Sequence, residues 1–149
     1  YPLPEALLDR FMFKIIIDYP TEKAEFDMLS CYRNGQRLHD VQSLGLKQCV
    51  TREHILSVKK SIENTHADDA ILNYISLIGA SPRAAVKLLM ASRCRAAMLG
   101  RDFVTPDDVK AVARPTLRHR LMLKPESELE GVKSDDCIAD ILNAVKVPR

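Results

Sequence analysis

Two arginines stand out by their positions in the sequence, and Arg83 is the first. It follows Ser81-Pro82, a pair that predicts a helix start with serine as the N-cap and proline at the first helical position. A cation in the first helical turn opposes the helix dipole, at a cost of about 0.3–1 kcal/mol relative to an acid. Because helix N-termini bind phosphates, an anion-binding role for Arg83 would explain this cost. The alternative, which the pattern taken alone favours, is a solvent-facing arginine.

Arg10 is the second, and it lies between a short amphipathic turn and an apolar run over residues 11–18. In parallel α/β proteins, chain segments that adjoin a strand can reach a subunit interface. The sequence therefore favours either an interface role for Arg10 or an ion pair with Asp9 or Glu5.

A third group of cations lies near the end of the chain, at Arg114, Arg118, His119, Arg120 and Lys124. It contains no aromatic side chain for base stacking, and acidic residues precede and follow it. We interpret it as a solvated face. The alternative is a non-enzymatic helical binding module for protein or nucleic acid.

Several kinds of catalytic site are excluded by spacing. The five glycines lie at least ten residues apart, so the chain has neither the P-loop nor the G-x-G-x-x-G loop that cradles phosphates. It has no H-E-x-x-H or G-x-S-x-G motif, and its four histidines show no metal-ligand spacing. We therefore predict that this chain alone neither hydrolyses ATP nor binds it tightly, and that it has no metal site.

Composition is that of a globular protein, with 46% hydrophobic and 28% charged residues and a net charge of +2. No apolar stretch reaches the ~18 residues of a membrane helix. The four cysteines lie far apart, which predicts buried thiols in a reducing cytosol.

Periodicity predicts one strand followed by helices. Residues 11–18 are apolar on both faces, as in a strand buried in a sheet, and its pairing partners are expected upstream of residue 1. Helices are predicted from Thr21 to Tyr32, Arg52 to Asn64, Asp68 to Ile78, Ser81 to Gly100, Thr105 to Pro115 and Asp135 to Val145.

Three motifs together resemble the MoxR-type AAA+ ATPases. Residues 1–11 (YPLPEALLDRF) are similar to the segment that follows that family's sensor 1 strand, and residues 79–84 (GASPRA) to its sensor 2 motif. Residues 100–109 (GRDFVTPDDV), with His119-Arg-Leu121, resemble its lid, a pattern shared with magnesium chelatases.

The resemblance implies that Arg10 is an arginine finger acting on the nucleotide of a neighbouring subunit, and that Arg83 is sensor 2, binding the γ-phosphate of its own subunit's nucleotide. It also implies ATP and Mg²⁺ in the parent protein, a homo-oligomeric and hexameric ring, and an upstream AAA+ core. The resemblance further implies partner proteins that contain von Willebrand A domains. It implies that the parent protein acts in chaperone-like maturation of partner proteins or in metal-cofactor insertion. A magnesium chelatase-type lid is the alternative.

The implied fold is mainly α, with the end of a truncated α/β ATPase core over residues 1–20 and a helical lid domain over residues 21–149. The sequence departs from the family at Leu7, where glutamine is usual. It also runs directly from Ile78 to Gly79, where family members usually carry about fifteen more residues. We expect an omitted stretch there.

Overall fold

The computed structural model describes residues 3–35, 45–79 and 81–148. The described residues are mainly helical, and the only bridge among them is a parallel one between His66 and Phe103. The helices are α1 (Glu5–Leu8), α2 (Glu22–Arg33), α3 (Arg52–Asn64), α4 (Asp69–Ile78), α5 (Pro82–Met98), α6 (Pro106–Leu117), α7 (Pro125–Leu129) and α8 (Ser134–Ala144).

Short polar side chains set the helix starts, as the sequence predicts. The hydroxyl of Thr21 accepts from the N–H of Ala24 at the start of α2, and that of Ser81 accepts from the N–H of Ala84 at the start of α5. Asp68 caps α4 by accepting from the N–H of Ile71. The expected helix starts are therefore confirmed to within one residue.

The chain forms two compact units, one of residues 1–15 and 57–149 and the other of residues 16–56. The core of the first unit is built by α4, α5, α6 and α8, and its most buried side chains include Tyr74, Leu88, Val109 and Ile138. None of the described side chains of residues 16–56 is buried. The domain boundary at residue 20 stays a prediction.

The strand expected over residues 11–18 is absent. This segment forms no ladder, and Ile17 is 89% exposed. A strand needs paired backbone groups on a neighbour, whereas the described residues supply this segment with one long-range backbone hydrogen bond, from Lys14 N–H to the carbonyl of Pro115 at 2.9 Å. The expected burial is therefore wrong for this structure.

Helix α6 also differs from its prediction, because it continues through Pro115 to Leu117. Proline lacks the N–H for a bond to the carbonyl four residues earlier, but near a helix end this removes a single bond. The N–H of Arg118 still donates to the carbonyl of Arg114 at 3.0 Å. The helix therefore ends two residues later than Pro115 alone indicates.

The four cysteines are free thiols. Cys49 is exposed and the other three are half-buried, so the expectation that they are buried is wrong. No helix within the described ranges has both the length and the apolar character to cross a membrane. The junction between Ile78 and Gly79 closes α4, and Ala80 lies outside the described residues, so the expected omission there stays a prediction.

Candidate functional site

The turn that carries Arg10 is built by local hydrogen bonds. The carbonyl of Pro4 accepts from the N–H groups of Leu7 and Leu8, and the N–H of Arg10 donates to the carbonyl of Leu7 at 3.3 Å. The side chain of Arg10 is exposed at this turn. Of the two acids expected to pair with it, Asp9 pairs elsewhere, and the side chain of Glu5 lies outside the described part of the chain.

Asp9 joins this turn to the start of α5. One nitrogen of Arg83, Nη1, donates to Oδ2 of Asp9 at 2.9 Å, and the side chain of Arg83 is 58% exposed. The hydroxyl of Ser81 lies 3.5 Å from Oδ1 of the same carboxylate. The two arginines singled out by sequence are thus brought together through the residue that precedes Arg10.

The anion required at the start of α5 is, in this structure, the carboxylate of Asp9. The first turn of α5 contains no acidic residue of its own and carries Arg83. A negative charge near a helix N-terminus is stabilising because it interacts favourably with the helix dipole. Asp9 supplies that charge from 74 residues away in the sequence.

Arg120 holds the same turn from the end of α6. Its side chain is 2% exposed, and Nε donates to Oδ1 of Asp9 at 2.9 Å. Its other nitrogens donate to the carbonyls of Asp9, Phe11 and Thr116. With four acceptors, the buried guanidinium is well satisfied.

Arg118 and His119, the neighbours of Arg120, bind the backbone of the segment that follows the Arg10 turn. Arg118 makes a two-point ion pair with Asp135 at 3.0 and 2.8 Å and also donates to the carbonyl of Lys14 at 3.3 Å. Nε2 of His119 lies 3.3 Å from the carbonyl of Phe11, which accepts only from the tautomer protonated at Nε2. Burial lowers the pKa of His119.

The interpretation of Arg114, Arg118, His119, Arg120 and Lys124 as one solvated face is therefore wrong for its middle three members. The sequence shows charges at close spacing, but it does not show that Arg118 pairs with Asp135, 17 residues downstream, or that Arg120 pairs with Asp9, 111 residues upstream. Arg114 and Lys124 are exposed, as expected.

A second aspartate, Asp108, binds two arginines at the start of α6. Arg101 donates to both of its oxygens at 2.8 and 2.7 Å, and Nε of Arg95 lies 3.4 Å from Oδ1. The backbone N–H and the hydroxyl of Thr105 each donate to Oδ2 at 2.9 Å. Asp108 is 1% exposed, so the group forms a buried closure of the helix start rather than a site for a ligand.

The pKa values of both aspartates lie below the usual range. For Asp9 the hydrogen bond from Arg120 is the main cause; burial opposes it, and Arg83 lowers the pKa further. For Asp108, burial alone would raise the pKa, but the hydrogen bonds from Arg101 and Thr105 and the charge of Arg101 together lower it. Both carboxylates are therefore ionised at neutral pH.

Sequence reasoning missed the pairing of Asp9 with Arg120 and Arg83, and the buried pair of Arg101 with Asp108. One signal for Asp9 was present, because a helix start with a cation and no acid requires an anion from elsewhere. No group of three or more His, Cys, Asp or Glu side chains that could hold a metal occurs in the described residues.

Comparison with known proteins identifies the helical unit. Residues 74–141 match the AAA lid domain, a range that includes α5, α6 and the group around Asp108. The chain is 37% identical to the uncharacterized protein YeaC of Bacillus subtilis and 31% identical to Chaperone MoxR1 of Mycobacterium tuberculosis, with 99% and 100% of this chain aligned.

The chain spans about half the length of these curated relatives, 48% and 43% respectively. The alignments run over 160 and 170 residues, so both relatives contain residues for which this 149-residue chain has no counterpart.

A solved structure of a Cytophaga hutchinsonii protein assigned as an ATPase superposes on the whole chain with a TM-score of 0.84 at 29% identity, and the chain covers half of it. The MoxR protein of Methylorubrum extorquens is 26% identical over 97% of the chain. The chain therefore belongs to the MoxR-type AAA+ family, and its residues 74–141 match the AAA lid domain.

Proposed function

We propose that the full-length protein is an ATP hydrolase that works as a homo-oligomeric ring of six subunits, and that this chain supplies its lid and two of its phosphate-contacting arginines. The observation that carries the proposal is the position of Arg83 in the first turn of α5, exposed, beside one carboxylate. A guanidinium at a helix N-terminus matches the charge and the hydrogen-bonding geometry of a phosphate.

Arg83 acts as sensor 2 on the nucleotide of its own subunit. Bound ATP with Mg²⁺ supplies the phosphoryl group that is transferred. The described residues fit a phosphate because Arg83 uses only Nη1 in its bond to Asp9, which leaves its other N–H donors available. Arg83 would stabilise charge that develops on the phosphoryl oxygens.

Arg10 acts as an arginine finger toward the neighbouring subunit. Support comes from its exposure on a turn whose backbone is fixed by the bonds of Arg120. A catalytic arginine supplied across a boundary needs a rigid base and an extended side chain, because small misplacements are costly in rate. The bonds of Arg120 to the turn and the exposure of Arg10 both favour this role.

The work done by the ring is chaperone-like maturation of partner proteins, with metal-cofactor insertion and partners that contain von Willebrand A domains as the more specific possibilities. The printed name of one relative, Chaperone MoxR1, favours the chaperone-like role. The relatives named MoxR favour this family over a magnesium chelatase-type lid, in which the two arginines would keep the same roles.

A nucleic-acid-binding role is not favoured. It needs a free basic surface, and two of the five cations that suggested one, Arg118 and Arg120, are engaged in internal ion pairs.

Subunit mixing tests the proposal. Arg10→Ala in the full-length protein should bind ATP nearly normally and hydrolyse it about 10³–10⁵-fold more slowly, the range for a lost arginine finger. Mixing it with a variant that lacks the P-loop lysine should restore activity, because some intact P-loops then face an intact Arg10 in the neighbouring subunit.

Subunit exchange is verified separately with two differently labelled populations. With exchange established, absence of rescue at every mixing ratio would contradict the role in trans. A full-length wild-type protein that shows no ATP hydrolysis would contradict the proposed activity itself.

A further inference from the structure

The carboxylate of Asp9 is shared between two arginines, Arg83 in the first turn of α5 and Arg120 in the turn that follows α6. Oδ1 accepts from Nε of Arg120, and Oδ2 accepts from Nη1 of Arg83, each at 2.9 Å. Asp9 is therefore the side chain that connects the turn of Arg10 both to the end of α6 and to the start of α5.

The two arginines differ in how easily they can leave. Arg120 is buried and donates to three backbone carbonyls besides Asp9, so its release would leave a charge and several acceptors unpaired. Arg83 is mostly exposed, donates to Asp9 through one nitrogen, and can exchange its partner for water or another anion at small cost.

The position of Arg83 at the start of α5 indicates which anion could replace Asp9 as its partner. Asp9 occupies the position of the negative charge that the first turn of α5 lacks. A phosphate that approaches this helix start competes with the carboxylate for the same guanidinium, and it carries more charge and more acceptor oxygens.

We propose that Asp9 is a positioning residue that holds Arg83 until a nucleotide phosphate takes it, so that nucleotide binding in one subunit releases the turn of Arg10 from α5. The proposal rests on the proposed function. After exchange, the turn keeps its bonds to Arg120 and His119 and loses its ion pair with α5. The subunit's own nucleotide site and the finger offered to its neighbour are thereby coupled.

The test is the nucleotide preference of Asp9→Asn in the full-length protein, measured as the dissociation constants for ATPγS and for ADP, each with Mg²⁺. Removing the competing carboxylate should tighten ATPγS binding about two- to fivefold, the range set by an exposed ion pair, and leave ADP binding unchanged. A purely structural effect of the substitution would change both constants together.

Three comparison variants make the result specific. In an Arg83→Ala background, Asp9→Asn should have no further effect on ATPγS binding. Asp9→Glu keeps the charge and should stay within twofold of wild type. Asp135→Asn removes the carboxylate partner of Arg118, which does not contact Arg83, and should leave the preference unchanged.

If Asp9→Asn does not fold, the double variant Asp9→Asn, Arg120→Met removes both charges of the buried pair and is measured instead. An unchanged ATPγS constant in a folded variant would overturn the proposal, as would a gain that persists in the Arg83→Ala background. Failure of the proposed function is a different result, because the full-length wild-type protein itself would then show no ATP hydrolysis.

Discussion

Two aspartates in this chain each bind two arginines, and they do so in opposite ways. Asp108 is buried, fixed by Arg101 at both oxygens, and used by the backbone of Thr105 at the start of α6. Asp9 is 29% exposed and divides its two oxygens between a buried arginine and an exposed one. The same pairing chemistry therefore produces a permanent closure at one helix start and an exchangeable contact at the other.

The difference lies in solvent access and in the number of other bonds. A buried pair that loses one partner leaves an uncompensated charge in a poorly solvated place, whereas an exposed pair is replaced by water. Asp108 accepts hydrogen bonds from the backbone N–H and the hydroxyl of Thr105 at the start of its own helix. The start of α6 and the ion pair of Asp108 with Arg101 therefore form together. The bond between Arg83 and Asp9 has no such support, which is consistent with the proposed exchange of Arg83 onto a phosphate.

The largest expected effect is on stability. Asp108→Ala should lower the free energy of unfolding of this chain by about 3–5 kcal/mol, because it leaves Arg101 without its partner and Thr105 without its acceptor. Asp107→Ala is the matched control, an exposed neighbour in the same helical turn that should cost no more than about 1 kcal/mol. Denaturant unfolding of both variants measures the difference. Equal losses would contradict the closure described for Asp108.

Arg83→Ala in the full-length protein should reduce turnover strongly and change stability little, the opposite of Asp108→Ala. Turnover of ATP should fall about 10²–10³-fold, by analogy with the loss of one transition-state donor. The free energy of unfolding should change by no more than about 1 kcal/mol, since its ion pair is exposed. Lys87→Ala, one turn further along α5, is the control and should leave turnover unchanged. Normal turnover in a folded Arg83→Ala protein would remove the sensor 2 assignment.

Arg120→Lys separates charge from geometry on the buried side of Asp9. Lysine keeps the positive charge but cannot reach several carbonyls with a planar fork, so we expect a loss of about 1.5–3 kcal/mol in the free energy of unfolding. The control is Arg114→Lys, an exposed position on α6 where the change should be near zero. A tolerated Arg120→Lys would show that the bonds to the carbonyls contribute little.

The smallest effect is the pH dependence of stability. The folded pKa of Asp108 is lowered, so its contribution is complete above the unfolded pKa of about 3.9 and is lost as the pH falls through the folded value. Wild-type Tm should therefore decline more steeply below pH 4 than the Tm of Asp108→Asn. Parallel declines would mean that other carboxylates determine acid unfolding.

The helix starts could be predicted because they are determined by residues that are adjacent in the sequence. Ser81-Pro82 and Thr105-Pro106 specify a cap and a first helical residue with no help from the rest of the chain. The end of α6 could not be predicted in this way. Pro115 is a strong local signal for a helix end, but the free energy that a proline costs depends on how many helical hydrogen bonds it removes. Helix α4 shows the same limit, since its Leu72 is exposed while its Tyr74 is buried, and this choice depends on packing against the other helices.

The candidate site divides in a similar way. The motif resemblance identified Arg10 and Arg83 as candidate site residues. No local pattern predicts that Asp9 pairs with Arg83 and Arg120, since these two arginines are 74 and 111 residues away from it. The same separation explains the error over the basic cluster. A charge whose partner is distant in sequence cannot be distinguished from a solvated one by inspection of its neighbours.

The separation of Asp9 from Arg120 also sets an order of assembly. During synthesis the turn leaves the ribosome 111 residues before the arginine that holds it, and at 5–20 residues per second it waits for roughly 5 to 20 s. Contacts between distant residues form after local ones, because closing the intervening chain costs entropy first. Helices α5 and α6 can pair as soon as both exist, whereas the Arg10 turn can dock only after Arg120 has been synthesised. The turn that carries Arg10 therefore acquires its fixed position only after α4, α5 and α6 have been made.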